Sequence, residues 1–476
     1  MEIQVALESR TLTLPDEALN CNTLEESILR LALEIGCEVM KQTLEQLDGQ
    51  LLEHRAKSLG VVNLRERTLN TRVGSVRFRR RCYQDEQGEY HFLLDELLGL
   101  EKHQRYSGGF LRQGLCQVSQ RSYRQSAEEL DQQTSATVSH ETLRQWVKVV
   151  GGKADEVLSA QVDAVLERGE VPGLPGKIPE RLFVESDGTN LSVRSEGKVH
   201  KAEMKLGIWY TGWEPRYGMG KQDTFQLTDK FAIGGMYSGD EIRERLAVLG
   251  ELRVGLSHVP ELFFGGDGAA WCTSLAQDYP QGVFHLCQFH VNRAIRRTFG
   301  SDHQACRELS NLLYRADLAG TQTFMASKIY GTNGTVREKR QKLQGYLLNN
   351  WDGIVGWQRV NAALGSVSHG HLGAMEGNVD KLGVRRFTDR GACWSVDGAH
   401  ALAQVRLAWQ NGELNRTLSW LTIKGRRVVV EAPEHRAASR PAGHHFWRQV
   451  RIPALHIALS KPWQMALKNI RKERMP

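Results

Sequence analysis

The alternation of apolar and polar positions is sharpest over residues 181–193, RLFVESDGTNLSV. Leu182, Phe183 and Val184 form an apolar run, Leu191 and Val193 resume it, and the segment reads as a β-strand. Asp187 interrupts the run and Gly188 follows it. A carboxylate buried there costs several kcal/mol unless a partner compensates, and a metal ion is one such partner. Downstream, residues 202–212 alternate as a second strand and 225–237 offer a third. Ser238-Gly239-Asp240 caps a helix, EIRERLAVLG, closed by Gly250. Leu262-Phe263-Phe264 reads as a buried strand that ends in Gly265-Gly266, with Asp267 at its tip and a helix after it. GVFHL at 282–286 makes a last short strand.

Upstream, Leu24, Ile28, Leu31, Ile35 and Met40 recur at helical spacing and predict one long helix over 22–58, capped by Asn22 or Thr23, for packing or dimerisation. Residues 68–83 alternate around a Val-Gly-Ser turn and predict a hairpin with Arg77, Arg79 and Arg81 on one strand face. Such a ribbon either follows a DNA backbone or is simply solvated. Over 122–148 the pattern predicts two short helices, the first from Ser122 through Leu130, the second capped by Ser139 with Leu143, Trp146 and Val147 inward. As a helix-turn-helix this pair would present His140, Arg144, Gln145 and Lys148 to a major groove; as plain bihelical packing it would present them to water. VPGLPGKIPE, with three prolines and two glycines, marks a domain boundary. The expected fold class is α/β: a mixed sheet with helices, as in the RNase H-like fold, preceded by a helical and β-hairpin N-terminal region; the family resemblance given below implies that this sheet is an RNase H-like catalytic core with an all-helical insertion and that the N-terminal region binds DNA. The expected divisions are 1–60 (N-terminal helix), 61–150 (hairpin and bihelical region), 151–178 (linker), 179–290 (first part of the core), 291–370 (helical insertion), 371–412 (rest of the core) and 413–476 (basic C-terminal region).

Bulk properties agree with a multi-domain globular chain. At 476 residues it exceeds one ordinary core. A mean hydropathy of −0.42 and the lack of any 18-residue apolar run predict no membrane span, and the acidic, unapolar start is not that of a signal peptide. Eight scattered cysteines suit a reducing cytoplasm. The net charge of +7 is unevenly spread: residues 421–476 hold 12 Lys/Arg against 3 Asp/Glu, and residues 65–81 hold seven arginines against one glutamate. Basic segments on a near-neutral body point to a polyanion such as DNA, or to a solubilising face.

Asp187 and Asp267 would meet if their strands pair, and two carboxylates alone hold Mg²⁺ poorly, so a third acid is expected beyond the helical region 288–370. Glu376, at the start of a helix in HLGAMEGNVDKLGVRRF, is the candidate, with Asp380 one turn on. At this point VESDGTN, KLGIWYTGWE (205–214), FFGGDGAAW (263–271), LCQFHVNRAI (286–295) and AMEGNVDKLGVRRFTDRGACWS (374–395), in this order, resemble the bacterial insertion-sequence transposases of the ISLre class, relatives of Mutator-like transposases with a DDE site. TRVGSVRFRRRCY and LLDELLGLEKHQR (93–105) are similar to the leading region of that class. The resemblance implies catalytic, metal-binding roles for Asp187, Asp267 and Glu376. It also implies two Mg²⁺ ions (Mn²⁺ as substitute), DNA ends and target DNA as partners, a homodimer or higher oligomer, and a nucleoid-associated cytoplasmic protein. Two rivals stand beside it: an RNase H-like structure-selective nuclease and a domesticated, non-catalytic DNA-binding protein.

Cys287-x2-His290 and His303-x2-Cys306 have finger-like spacing, but the helical VNRAIRRTF between them argues against zinc, and the resemblance implies that Cys287 and His290 shape the site instead. Arg293, Arg296 and Arg297 on the next helix, and Lys381, Arg385 and Arg386 after Glu376, are DNA-backbone candidates or a solvated face. His285 reads as a core or rim residue, and Trp394 as core packing or a base-stacking ring.

Overall fold

The computed structural model describes residues 3–7, 9–10, 12, 20–170, 173, 175–216, 224–365, 373–388 and 391–420. The basic stretch 421–476 lies outside the described residues.

The N-terminal region opens with α1 (Cys21–Glu53), whose first turn is held by a capping box between Asn20 and Thr23. It ends five residues before the expected 58. A hairpin follows, β1 (Gly60–Thr71) and β2 (Gly74–Gln84), longer than the alternation indicated and turning at Arg72-Val73 rather than at Val-Gly-Ser. Gly74 takes φ +130 and packs against the Cys37 sulfur, which excludes a side chain there. Then come the short β3 (Tyr90–His91), α2 (Leu93–Leu98), α3 (Gly108–Val118), α4 (Tyr123–Thr134) and α5 (His140–Leu166). The bihelical pair is thus α4 and α5, with Ser122 and Ser139 as its caps. Within the division expected as a linker, 151–178, the helix expected ahead of VPGLPGKIPE is the end of α5, which runs unbroken to Leu166. Gly151 does not end it, because a Cβ there would overlap the Ala401 carbonyl; the glycine is a packing contact within the helix.

The central sheet is built from β4 (Arg181–Ser195), β5 (Lys198–Tyr210), β8 (Phe231–Gly235), β9 (Glu261–Gly266) and β10 (Gly282–Leu286), with β6 (Gly212–Arg216) and β7 (Thr224–Thr228) as a separate hairpin. The expected third strand at 225–237 is therefore two strands, parted by Asp229 at φ +49. The order across the sheet is β10-β9-β4-β5-β8: β4, β5 and β8 run antiparallel, while β9 and β10 join β4 in parallel. The parallel strands are reached through α6 (Gly239–Val254) and α7 (Ala270–Gln277). Gly255, at φ +63, closes α6; Gly250 lies inside that helix, pressed on Leu256 and Trp209.

Leu182 and Val184 face α6 and α7 with Trp209, Leu246 and Phe264. Phe183, Leu191 and Val193 face the opposite layer with Leu206, Leu143 and Leu402. This two-sided burial explains the near-continuous apolar run at 182–184. The expected insertion is five helices: α8 (Gln288–Phe299), α9 (His303–Tyr314), α10 (Leu318–Ile329), α11 (Gly334–Asn349) and α12 (Trp351–Leu364), around a core of their own that includes Ile295, Leu309 and Leu347. A Cβ on Gly356 of α12 would overlap the Phe284 carbonyl of β10. Gly356→Ala is expected to cost about 2–3 kcal/mol of stability, read as a lowered urea midpoint; an unchanged midpoint would show that α12 can lift from the sheet freely.

The chain returns through α13 (Ala374–Val379), a π-helical turn (Asp380–Val384), α14 (Arg385–Phe387), β11 (Cys393–Trp394, pairing with β4 in parallel), α15 (Val396–Gln410) and α16 (Leu414–Ser419). The Arg406 guanidinium donates to the carbonyls of Lys381 and Leu382 in this turn and of Ser119 at the end of α3, tying the two together. Residues 413–420 pack on this body, so the division expected at 413 is not a boundary. Among the described residues no helix is long and apolar enough to cross a membrane.

Candidate metal centre

The parallel register aligns the acids. β4 pairs with β9 at a constant offset, Arg181 with Glu261 through Glu185 with Gly265. Carried two residues on, the same offset sets Asp187 abreast of Asp267. β9 pairs with β10 likewise, Leu262 with Gly282 through Gly266 with Leu286, which brings Cys287 to the same row. The Cys287 N–H donates to the Gly266 carbonyl at 2.7 Å, and His290 stands in the first turn of α8. Asp187, Asp267, Cys287, His290 and Glu376 line one cleft, together with Glu185 and His285 and, among the described residues, with no lysine or arginine.

Asp187 is only 7% exposed. Its Oδ1 accepts from the Gly188 N–H at 2.7 Å, and its Oδ2 lies 3.9 Å from His290 Nε2. Burial pushes its pKa up to about 6; His290 and the Gly188 N–H pull it down, and Asp267 and Glu376 push it further up. Ligand atoms of Asp187, His290 and Glu376 all lie within 4.8 Å of one another. Asp267 lines the same cleft outside that tight set. Its Oδ1 accepts from the Ala269 N–H at 2.8 Å, and its backbone carbonyl accepts from the Tyr346 hydroxyl of α11 at 2.9 Å, which ties the helical insertion to the acid. Glu376 is the third residue of α13. Asp380 is absent from the cleft lining and accepts from Arg385 Nε at 2.7 Å.

Carboxylate oxygens that converge with no lysine or arginine among the described residues beside them, next to a buried His290 Nδ1 with no hydrogen-bond partner among those residues, suit a divalent cation. Two or three carboxylates with one imidazole fit Mg²⁺ or Mn²⁺. The zinc spacing resolves differently: α8 runs unbroken between the two halves, and the metal-capable set takes His290 but neither His303 nor Cys306. Burial raises the Cys287 pKa to about 11, so its thiol is protonated at neutral pH. His285 is fully buried with Nε2 unpartnered, and burial lowers its pKa to about 4; it is a neutral core residue.

One cleft residue escaped the sequence reading. Glu185, on the same face of β4 as Asp187, accepts from the Tyr210 hydroxyl at 2.5 Å and from the Met375 N–H at 2.8 Å, with the Gly373 N–H at 3.4 Å. It caps α13 from another strand, as Gly373 at φ +101 enters that helix. A second acid two positions before Asp187 in an apolar strand was the available signal. Gly265 makes room for it: a Cβ there would lie 3.0 Å from Glu185 Cγ and 2.5 Å from His285 Cε1.

The basic candidates are dispersed. Arg77 pairs with Glu66 at 2.5 Å, Arg79 lies 3.9 Å from Glu45, and Arg81 bonds the buried Asp48 at 2.5 Å. The intervening Arg80 is buried and shares Asp95 with Arg67. His140, Arg144 and Lys148 are exposed along α5, with Arg144 held by Glu141. Arg293 and Arg296 are exposed on α8, and Lys381 and Arg385 beyond Glu376. None of them lines the acidic cleft.

The fold and site define a mixed α/β protein with an acid-rich, metal-competent cleft at the ends of its parallel strands. The chain belongs to the uncharacterised protein family UPF0236, whose model matches residues 14–424. It is 24% identical over 402 residues to the UPF0236 protein in the vanSb 3′ region of Streptococcus gallolyticus, covering 82% of this chain and 83% of that protein. Two UPF0236 proteins of Caldanaerobacter subterraneus subsp. tengcongensis are 22% and 20% identical over 441 and 436 residues, each covering 89% of this chain and 85% and 84% of theirs. The printed name of the second joins eleven locus designations of that one genome.

Proposed function

We propose that this chain is a DDE-type DNA transposase with an RNase H-like core, which cleaves the ends of its own element and joins the 3′-OH ends to target DNA. The observation that carries the reading is the convergence of Asp187, Asp267 and Glu376 on one cleft that, among the described residues, holds no lysine or arginine. These are the three acids that the resemblance to the ISLre class singles out. The sheet supports it: three antiparallel strands followed by two parallel ones, with the first acid on the central strand and the second at the end of its parallel neighbour, is how an RNase H-like core is arranged. A relative whose name spans eleven loci of one genome fits a protein encoded by an element that copies itself.

Asp187, Asp267 and Glu376 would hold Mg²⁺ or Mn²⁺, which when bound supplies Lewis-acid activation of water or a 3′-OH and stabilises the leaving oxygen. The chain's own groups prepare that chemistry. Burial keeps Asp187 short of hydrogen-bond donors, so its free oxygen is available as a ligand. The Asp267 turn is fixed by the Ala269 N–H and by Tyr346. Glu185 fixes the start of the helix carrying Glu376. His290 faces Asp187 and can hold a proton or a phosphate oxygen. No serine or tyrosine nucleophile is required. The chain would act on DNA in the cytoplasm as a dimer or larger assembly, since two ends must be brought together.

The test is a labelled end duplex ending in a 3′-OH, incubated with the purified chain, Mg²⁺ and target DNA. Covalent joining is expected. Nicking without joining would replace the reading with a hydrolytic nuclease, and neither reaction would end it.

A further inference from the structure

A second concavity shares no lining residue with the acidic cleft. It is an open groove of about 980 Å³ between α4, the start of α5, Arg385 and Arg386 of α14, and the residues from Ala392 to the start of α15. Arg386 forms part of its lining and is only 7% exposed. Its Nε donates to the Val118 carbonyl at 2.8 Å, but its buried Nη2 has no hydrogen-bond partner. The guanidinium carbon lies 5.0 Å from the centroid of Trp394 and 5.7 Å from that of Tyr123, both groove residues. Burial lowers the Arg386 pKa to about 10, still well above neutrality, so the group is a cation, and among the described residues no carboxylate pairs with it. Packing between two rings accounts for the stem of such an arginine. It leaves the unmet donor, which is costly when buried.

Two helices direct their positive ends to the same place. α4 begins at Ser122 and α15 at Ser395, and both caps line the groove. Arg121, Arg144 and Arg385 add positive charge along the wall. Each now leans on an acid (Glu129, Glu141 and Asp380); the Arg144 and Arg385 pairs are solvent-exposed, while Glu129 beside Arg121 is half-buried. Exposed pairs are worth little, so exchange of the acid for an anionic ligand costs little. Glu128 and Glu129 line the α4 wall and oppose an anion there, which places it toward Arg386 and the helix starts. The lining is rich in arginine and glutamine, and the groove is wide and polar, unlike the enclosed apolar sites that take small molecules. Helix α4, 12 residues long, spans about 18 Å at 1.5 Å per residue. That matches about five phosphates of one strand at 3.4 Å each.

We infer that this groove binds the phosphodiester backbone of DNA, with Arg386 and the starts of α4 and α15 as its anion site and Arg121 and Arg144 as the cationic wall. The choice of DNA rests on the transposase reading; the anion site rests on Arg386 and the two helix ends. It gives a place to Arg144 and Arg385, which the sequence marked as DNA candidates, and sets Trp394, read as core packing or a base-stacking ring, beside the anion site.

The experiment measures binding of the full chain to a labelled duplex by fluorescence anisotropy across a KCl series. Arg121→Glu and Arg144→Glu are each expected to weaken binding about tenfold and to lower the slope of log K against log[salt] by about 0.9. Lys57→Glu, the same charge change at an exposed position outside the groove, serves as the control and is expected to leave the slope unchanged. Arg386→Gln is expected to weaken binding by about tenfold with its thermal melt retained; if it unfolds, the two surface variants still decide. Binding and slope equal to those of the Lys57 control would overturn the inference. Inorganic phosphate is titrated in parallel at constant ionic strength. Phosphate binding that Arg386→Gln removes, with DNA affinity unaltered in all variants, would assign the groove to free phosphate and also overturn it. Loss of DNA affinity in the variants of a chain that never joins DNA leaves the groove standing and removes the transposase. Joining by the wild type, with all variants binding normally, does the reverse.

Discussion

Asp187→Asn is expected to abolish metal-dependent cleavage and joining, by on the order of 10³-fold or more, while making the metal-free protein more stable. Both effects follow from its place in β4. The carboxylate is buried and abreast of Asp267, and its pKa rises to about 6 from the usual 3.8. A carboxyl whose pKa is raised by folding carries no penalty below about pH 4, where it is protonated in both states. The penalty builds as pH rises from 3.8 to 6 and is complete above that. Two pKa units correspond to about 3 kcal/mol. The metal-free wild type should therefore lose stability across that window, and Asp187→Asn should lose less. Added Mg²⁺ or Mn²⁺ should raise the wild-type melting temperature at pH 7 and leave the variant's nearly unchanged. Asp267→Asn and Glu376→Gln should also lose activity, and all three should still bind DNA. Differential scanning fluorimetry at several pH values, with a nicking assay beside it, measures this. A variant that nicks at the wild-type rate, or gains no stability at pH 7, would remove Asp187 from the centre.

The second large effect is expected from Glu185, which touches no substrate and acts through Glu376. Its carboxylate receives the Tyr210 hydroxyl and the Met375 N–H in a fully buried place. Glu185→Gln puts an amide donor where only donors point, so at least one contact is lost and about 1–3 kcal/mol of stability with it. The start of α13 then loosens and Glu376 loses its fixed position. The expected result is a fall in turnover of about 10²-fold and a rise in the Mg²⁺ concentration needed for half-maximal rate, with DNA affinity unchanged. Tyr210→Phe removes one donor and leaves the Met375 bond, so its Mg²⁺ dependence should stay near wild type. A Glu185→Gln enzyme with the same Mg²⁺ dependence but lower stability would mean that the residue merely holds the fold.

Much of this site was legible in the chain, and the legible part has a common cause. Asp187 and Asp267 sit in or at the end of strands whose neighbours are apolar, so local pattern exposes them. Helix starts at Ser122, Ser139 and Ser238 were equally plain, because a cap acts within one turn. Long-range packing was not. Gly250 read as a helix end, yet it is the point at which Leu256 presses on a helix, and Gly151, at the edge of an expected division, is where Ala401 does. The seven arginines over 65–81 read as one cluster for a polyanion, but Arg67, Arg80 and Arg81 spend their charge on Asp95 and Asp48. Charge density along a chain does not tell which members face inward. Glu376 was placed by resemblance; the structure adds the reason to prefer it to Asp380, which Arg385 occupies. Glu185 was missed because its partners, Gly373 and Met375, are invisible from β4.

That contact also sets a clock. Glu185 bonds a backbone group 190 positions further along the chain. At roughly 5–20 residues per second, a ribosome needs about 10–40 s to supply that stretch after Glu185 has been made. Until then β4 carries two acids with neither the helix that one caps nor the glutamate that the other meets. An incomplete chain thus has no assembled centre. On the transposase reading proposed above, the nascent chain would remain inert at least until residues 373–376 have been made and have folded back onto β4.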